Sequence, residues 1–113
     1  MSDCIFCKIA NREIPSEVVH EDDQAIAFKD INPVAPVHIL VIPKKHYATL
    51  DAVPPAELGV VGHIHGIIQQ LARDFGVAGG GYRVLNNCGP DAGQVVFHLH
   101  FHLIGGRTLT RLV

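Results

Sequence analysis

The chain has 113 residues, of which 48% are hydrophobic and 18% are charged, and its formal net charge is −2. This length predicts a single domain over residues 1–113, with enough apolar side chains for a core that needs no disulfide or metal. A nearly neutral chain is not expected to bind nucleic acid, because affinity for the phosphate backbone depends on clustered Lys and Arg. The sequence contains neither an apolar stretch of membrane-spanning length nor a signal segment at its N-terminus. We therefore expect a cytoplasmic protein that does not associate with membranes.

The first part of the chain predicts a short helix followed by three strands. Residues 4–10 favour a helical turn, and residues 17–21 and 24–29 favour two strands around an acidic turn, which is typical of a hairpin. Residues 38–42 form a nearly continuous apolar run that ends at Pro43. Such a run predicts a central strand covered on both faces.

Residues 55–75 carry the periodic pattern of a long helix. Pro54 and Pro55 suit its first turn, and Gly76 suits its end. Apolar residues recur at intervals of three and four and are expected to share one face, namely Leu58, Val61, Ile64, Ile68, Leu71 and Phe75. A second stripe consists of glycines, which favours either a closely approaching backbone, such as that of a partner subunit, or three tolerated glycines: Gly59, Gly62 and Gly66.

The last part of the chain predicts two more strands. Residues 82–86 favour a strand, residues 87–94 a loop rich in Asn, Gly, Pro and Asp, and residues 96–104 a final strand. About five strands and one long helix, with hairpin-like spacing, predict an α+β fold built on a mainly antiparallel sheet.

Three of the eight histidines alternate along the final predicted strand, at His98, His100 and His102. Side chains of a strand alternate between its faces, so the three imidazoles are expected to share one face at a spacing of roughly 6.5–7 Å. Three interpretations are open: a solvated strand face, a metal site with imidazole ligands, or nucleophilic and acid–base chemistry on a phosphate group. The preceding loop favours the third, because turns rich in Gly and Asn can direct backbone N–H groups at an anion.

Cys4 and Cys7 have the spacing of half a zinc site, which needs two further ligands from elsewhere in the chain. The total of three cysteines is odd and does not indicate a disulfide framework. The open alternative is a pair of reduced thiols that bind no metal.

The alternating motif over residues 98–104 matches the His-x-His-x-His-x-x pattern that names the histidine triad (HIT) superfamily. Other segments also stand where this superfamily has them, and together they cover nearly the whole chain: residues 5–9, 14–15, 27–31, 36–46, 81–83 and 93–94. On these residues the chain resembles the histidine triad nucleotide-binding branch rather than the diadenosine polyphosphate hydrolase branch. The resemblance implies an α+β homodimer in which the five-stranded antiparallel sheets of two subunits join into one.

The resemblance also implies an activity, the hydrolysis of nucleoside 5′-phosphoramidates and related adenylylated compounds, usually with a purine base. By position, His100 would attack the α-phosphorus and form a nucleotidyl-histidine, while His98, His102 and His38 would flank the phosphate. Asp30 would bind the ribose hydroxyls. The other binding residues implied are Ile5, Phe6 and Ile31 around the base, and Asn87, Gly93, Gln94 and Val95 near the phosphate and the leaving group.

Some bacterial members of the superfamily, and the related galactose-1-phosphate uridylyltransferases, combine a Cys-x-x-Cys pair with two histidines in a structural zinc site. The matching histidines here are His46 and His98, so the resemblance implies a zinc site formed by Cys4, Cys7, His46 and His98. In that arrangement His98 would orient its neighbours rather than take part in catalysis. The resemblance implies no organic cofactor.

Two departures from the family pattern concern the leaving group. A Ser or Thr usually follows the Gly-Gln pair and offers a hydroxyl to the phosphate, whereas Val95 follows it here. Many members carry a Trp-Pro-Pro tail after Gly-Gly-Arg, whereas this chain continues Thr-Leu-Thr-Arg-Leu-Val from residue 108. Beside the enzyme, two other function classes are therefore kept: a nucleotide-binding scaffold with weak or no catalysis, and a metalloprotein whose triad binds a catalytic metal.

Overall fold

The computed structural model describes residues 3–110, so the last three residues of the atypical tail lie outside the described part. In the described part the helices are α1 (Ile5–Ala10) and α2 (Gly59–Asp74), and 3₁₀ turns cover Leu50–Ala52, Pro55–Glu57 and Pro90–Ala92. The strands are β1 (Val18–Glu21), β2 (Ala25–Lys29), β3 (Val37–Pro43), β4 (Tyr82–Leu85) and β5 (Phe101–Gly105). The order of these elements along the chain is the order predicted from the sequence.

The strands of residues 3–110 form one five-stranded sheet in the order β1-β2-β3-β5-β4, and all neighbours pair antiparallel. The predicted α+β fold with an antiparallel sheet is therefore confirmed. Strands β3 and β5 are neighbours although α2 and β4 lie between them in the chain. In this pairing His38 lies opposite Ile104, and His102 lies opposite Leu40, so the two histidines come from adjacent strands.

The sheet separates two apolar clusters, as the continuous apolar run of β3 predicts. Ile39 and Val41 belong to the cluster beneath α2, while Leu40 and Ile42 belong to the cluster beneath α1. From α2, the first cluster receives Ile64, Ile67, Ile68 and Leu71. From α1, the second receives Phe6, Ile9 and Ala10. Both clusters thus anchor β3, the strand that carries His38.

Helix α2 begins later than its periodic pattern predicts. Residues 55–57 form a 3₁₀ turn, and Leu58, expected on the buried face, is 44% exposed because it precedes the α-helix. The helix ends as predicted, with Gly76 at φ +74°, a conformation that favours glycine. The stripe of glycines on α2 meets no close backbone within residues 3–110, since an added Cβ would have no atom within 4 Å at Gly59, Gly62 or Gly66.

Two further histidines join α2 to the hairpin of β1 and β2. The Nε2 atoms of His20 and His63 each lie 2.8 Å from Oδ2 of Asp22. The other oxygen of this carboxylate accepts hydrogen bonds from the backbone N–H groups of Gln24 and Ala25. His63 and Asp22 lie 41 positions apart, so no spacing pattern in the sequence indicates this contact.

The final strand is shorter than the predicted range of 96–104. The chain bends at residues 96 and 98, and β5 begins only at Phe101, so the prediction was wrong for His98 and His100. The alternation of side chains persists through the irregular segment. Leu99 and Phe101 lie in the cluster beneath α2, whereas the rings of His98 and His100 contact Phe6 of α1. Hydrogen bonds to side chains and to a neighbouring loop, described below, hold this segment in place of a strand ladder.

Candidate active site

The ring of His100 has one nitrogen engaged and the other available for chemistry. Its Nδ1 lies 2.8 Å from the carbonyl oxygen of His98. Because a carbonyl oxygen can only accept, Nδ1 carries the proton, and the neutral ring has its lone pair on Nε2. The ring packs edge-on against Phe6, with centroids 5.0 Å apart and planes at 90°, and His100 is 6% exposed. The site therefore presents a nucleophilic nitrogen in a fixed orientation.

His38 and His102 form a directed chain of hydrogen bonds beside His100. The backbone N–H of Val34 donates to Nδ1 of His38 at 3.2 Å, so the neutral His38 carries its proton on Nε2. That Nε2 lies 2.9 Å from Nδ1 of His102 and donates to it. His102 then carries its own proton on Nε2, and its ring lies 5.2 Å from that of His100. This arrangement offers one N–H donor to an anionic group held near the nucleophile.

Burial favours the neutral forms that this chain of hydrogen bonds requires. Desolvation lowers the pKa of His102 to about 4, and repulsion from the protonated forms of His100 and His38 adds to the effect. Desolvation also lowers the pKa of His38, against an opposing attraction from Asp30. A protonated His38 could not accept from Val34, so both hydrogen bonds depend on neutral rings.

We expect the free energy of unfolding to fall as the pH drops below 6.5. The unfolded chain protonates His102 near the ordinary pKa of about 6.5, whereas the folded chain protonates it only near 4. Protons therefore bind the unfolded state first, which costs the fold roughly 1–2 kcal/mol by about pH 5. Urea titrations at about pH 7.5 and pH 5 measure the loss, and His102→Gln should lose less stability than the wild type. An equal loss in both proteins would contradict the buried, neutral state of His102.

Asp30 contacts both a local turn and the histidine pair. Its Oδ1 accepts from the backbone N–H of Asn32 at 2.8 Å, and its Oδ2 lies 3.5 Å from Nε2 of His38. The ligand atoms of Asp30, His38 and His102 lie within 4.8 Å of one another, a spacing at which a metal could bind. The proton on Nε2 of His38 occupies the atom that a metal would need. The hydrogen bonds thus favour an oriented N–H donor over a metal site, while binding of ribose by Asp30 stays a prediction.

The residues predicted to surround the base differ in exposure. Ile5 and Ile31 are 49% and 89% exposed, which is high for large apolar side chains. Phe6 is 7% exposed and packs against Phe28 and His100, so it supports the nucleophile from the core. Ile5 and Ile31 therefore remain accessible to a planar base, and their role in binding stays a prediction.

The loop between β4 and β5 is fixed by its own hydrogen bonds. Gly89 and Gly93 adopt φ values of +90° and +86°, as expected for the predicted anion-binding turn. The Gln94 side chain accepts from the backbone N–H of Gly89 and donates to the carbonyl oxygens of Ala48 and Val96. Its polar atoms thus stabilise the loop, and a hydrogen bond donated by Gln94 to the leaving group would require one of its two donor bonds to break.

Cys4, Cys7, His46 and His98 converge at the N-terminal end of α1, with their ligand atoms within 4.8 Å of one another. Nδ1 of His98 lies 3.3 and 3.4 Å from the two sulfurs and 3.2 Å from Nδ1 of His46. Nε2 of His98 donates to the carbonyl oxygen of Pro43 at 2.8 Å, so the lone pair on Nδ1 faces the other three ligands. Burial lowers the pKa of His98 to about 4, which keeps this lone pair available.

These spacings fit a tetrahedral ion. In a tetrahedral site, zinc bonds of about 2.0–2.1 Å to nitrogen and 2.3 Å to sulfur place two nitrogens about 3.3 Å apart and a nitrogen and a sulfur about 3.6 Å apart. The separations of 3.2–3.4 Å around His98 are close to these values. The four residues that the resemblance implies are thus brought together with a donor set that suits zinc.

Comparison with known proteins shows which family the chain belongs to. The family model for the HIT domain matches residues 11–109. An uncharacterized HIT-like protein of Synechocystis is 49% identical over 105 residues, which are 93% of this chain and 91% of that protein. The chain belongs to the HIT family. A HIT family hydrolase from Clostridium thermocellum has a TM-score of 0.95 at 46% identity, covering 100% of this chain and 98% of that one. A histidine triad nucleotide-binding protein from Candida albicans has a TM-score of 0.81 at 34% identity, covering 98% and 86%.

In this HIT protein, the position after the Gly-Gln pair is open to solvent. Val95 is 86% exposed, and Phe97 two residues later is 44% exposed. Asn87, at the other end of the same loop, is half-buried. The loop thus offers apolar surface where the family pattern has a hydroxyl. Among residues 3–110 no helix combines the length and apolar character needed to cross a membrane.

Sequence reasoning missed the contact of the Asn86 side chain with the triad. Nδ2 of Asn86 donates a hydrogen bond to the carbonyl oxygen of His100 at 2.9 Å. Asn86 stands at the end of a predicted strand, where the candidate anion-binding loop begins, and no pattern in the sequence indicates its contact with His100. Only the pairing of β4 with β5 brings it to the nucleophile.

Proposed function

We propose that this HIT protein is a hydrolase that cleaves nucleoside 5′-phosphoramidates or related adenylylated compounds at the α-phosphate. The observation that carries the proposal is the hydrogen bond from Nδ1 of His100 to the carbonyl oxygen of His98, which leaves Nε2 as the nucleophile. The similarity to a HIT family hydrolase and to a histidine triad nucleotide-binding protein supports both the reaction class and the ligand class.

In the proposed first step, Nε2 of His100 bonds to the α-phosphorus as the bond from phosphorus to the amine breaks, and the amine nitrogen takes up a proton from the solvent as it leaves. The imidazole then carries a positive charge, which the His98 carbonyl stabilises through the proton on Nδ1. The N–H of His102, oriented by His38, donates to a phosphoryl oxygen. In the second step water attacks the phosphorus and gives a proton to the solvent, the bond to His100 breaks and the nucleoside monophosphate leaves.

A purine nucleotide is the proposed ligand. The carboxylate of Asp30, which lies next to His38, would accept hydrogen bonds from the ribose hydroxyls. Ile5 and Ile31 would contact the base with their exposed apolar surface. Exposed large apolar side chains are common at binding sites, which supports this placement.

We also propose that Cys4, Cys7, His46 and His98 hold a structural zinc ion. Zinc in such a site supplies a cross-link between distant parts of the chain. Here it would connect α1 with the segments after β3 and before β5, and so hold Phe6 against His100. Thiolate ligands persist in a reducing compartment, which agrees with the cytoplasmic location expected from the sequence.

A homodimer through strand β4 is the proposed assembly. Within residues 3–110, β4 lies at one end of the sheet and pairs with β5 alone. Its other edge presents backbone groups that can pair with the same strand of a second copy. Tyr82 on β4 is 37% exposed and would be covered in such a dimer.

Turnover of an adenosine 5′-phosphoramidate that carries a fluorescent amine tests the proposed function. Release of the amine together with AMP is the expected result, and guanosine and cytidine analogues measure the base preference. Binding of AMP without turnover would overturn the hydrolase in favour of a nucleotide-binding scaffold, and Val95→Ser would then test whether the hydroxyl is missing. Loss of turnover to a chelator that leaves Tm unchanged would instead indicate a catalytic metal.

A further inference from the structure

We propose that Asn86 is a positioning residue for the nucleophile His100, an inference that rests on the hydrolase function proposed above. Asn86 directly follows β4, whose last pair with β5 joins Leu85 to His102. On the other side of β5, the ladder with β3 ends at Phe101. His100 therefore lies beyond the last pair on both sides, where the sheet does not fix its backbone.

Hydrogen bonds from outside the sheet hold the segment from His98 to His100. The carbonyl oxygens of Pro43 and Tyr47 accept from the ring of His98 and from the backbone N–H of Leu99, at 2.8 and 2.7 Å. These two bonds fix the first two residues of the segment. The bond from Nδ2 of Asn86, at 2.9 Å, fixes the third through its carbonyl oxygen.

The amide of Asn86 thereby controls the direction of the His100 ring. The ring bond to the His98 carbonyl restrains the chain before the Cα of His100, and the Asn86 bond restrains the peptide group after it. Loss of the second bond leaves a partly buried carbonyl without this donor and lets the peptide group rotate. A shift of the reacting nitrogen by about 1 Å can cost about 10²-fold in rate.

Asn86 acts on His100 through the backbone, so its removal should affect chemistry more than substrate affinity. We expect Asn86→Leu, which keeps the volume but removes the donor, to lower kcat by about 10- to 100-fold while KM changes by less than about 3-fold. In Asn86→Asp, a carboxylate facing the carbonyl should lower kcat further. Asn86→Gln retains an amide donor and should recover part of the loss. The matched control is Gln69→Leu, which removes an exposed amide on α2.

A second measurement does not depend on turnover. Nuclear magnetic resonance of protein with ¹⁵N-labelled histidine should show a slowly exchanging Nδ1–H on His100, identified by its absence in His100→Ala. In Asn86→Leu this proton should exchange faster, while the Nε2–H signals of His38 and His102 stay unchanged. A merely structural role would lower the thermal stability without moving this signal or separating kcat from KM.

Three results would overturn the inference. The first is an unchanged kcat in Asn86→Leu and Asn86→Asp, and the second is an unchanged exchange rate of the His100 proton in Asn86→Leu. The third is a loss of kcat in the Gln69→Leu control as large as that in Asn86→Leu. If the wild type itself shows no turnover, the proposed function fails, and the exchange rate of the His100 proton alone decides the role of Asn86. Should Asn86→Leu not fold, Asn86→Asp carries both measurements, because it is nearly isosteric with Asn.

Discussion

His100→Ala should lower kcat for phosphoramidate hydrolysis by about 10³-fold or more, while AMP binds with an affinity close to that of the wild type. The expected loss is large because the variant lacks the nitrogen that forms the covalent bond, and binding with the remaining donors cannot replace it. The hydrogen bond from Nδ1 to the His98 carbonyl leaves the Nε2 lone pair of His100 available for attack. In His98 and His102, by contrast, Nε2 carries the proton. Steady-state release of the fluorescent amine, together with calorimetric titration of AMP, measures both quantities.

The matched control for this variant is His65→Ala. His65 is exposed on α2, and its Nδ1 contacts the carbonyl oxygen of Val61, one turn earlier in the same helix. Its ring packs against Phe101, which lies in the cluster beneath α2, on the other side of the sheet from the triad. This control should keep the wild-type rate. Rapid quenching followed by mass spectrometry should find the nucleotidyl adduct in the wild type and His65→Ala, and not in His100→Ala. Turnover in His100→Ala within about tenfold of the wild type would reject the covalent mechanism.

The fold could be predicted where local patterns determine it. The unbroken apolar run of β3 predicts a strand covered on both faces, and its residues do alternate between two clusters. The ends of β5 and α2 could not be predicted as well, because they depend on contacts between distant segments. Alternation over residues 96–104 satisfies the strand pattern, yet the chain bends at residues 96 and 98 and leaves the ladder.

In the candidate site, too, some features follow from local sequence patterns and others depend on contacts between distant segments. The alternating histidines and the Cys-x-x-Cys pair are visible in the sequence, and the structure brings the four implied zinc ligands together. The position of each proton is not visible, because it depends on backbone groups that the fold supplies. The N–H of Val34 and the carbonyl oxygens of Pro43 and His98 determine which nitrogen of three different imidazoles carries the proton. The role of Asn86 could not be predicted for the same reason, since its partner is the backbone carbonyl of His100, in a distant segment of the chain.

The second large effect concerns the Cys and His cluster at α1. We expect the purified protein to contain one zinc ion per chain and a strong chelator to lower Tm by about 10 °C or more. The reason is that His98, Cys4, Cys7 and His46 come from three separate segments, which the ion would join. Elemental analysis and thermal unfolding with and without chelator measure both quantities. Because Phe6 lies between the two cysteines and packs against His100, turnover should decline along with Tm.

Cys7→Ser provides the test of the ligand assignment, with Cys88→Ser as its control. Cys88 is exposed in the loop between β4 and β5 and is not a member of the cluster, so its replacement should change neither zinc content nor Tm. Cys7→Ser should bind less zinc and melt near the temperature of the chelated wild type, since a hydroxyl is a much weaker zinc ligand than a thiolate. A wild type that contains no zinc, and whose Tm a chelator leaves unchanged, would establish the alternative of two reduced thiols. The orientation of His98 would then come from its bond to Pro43 and from the thiols that contact its Nδ1, and Cys7→Ser would leave turnover intact.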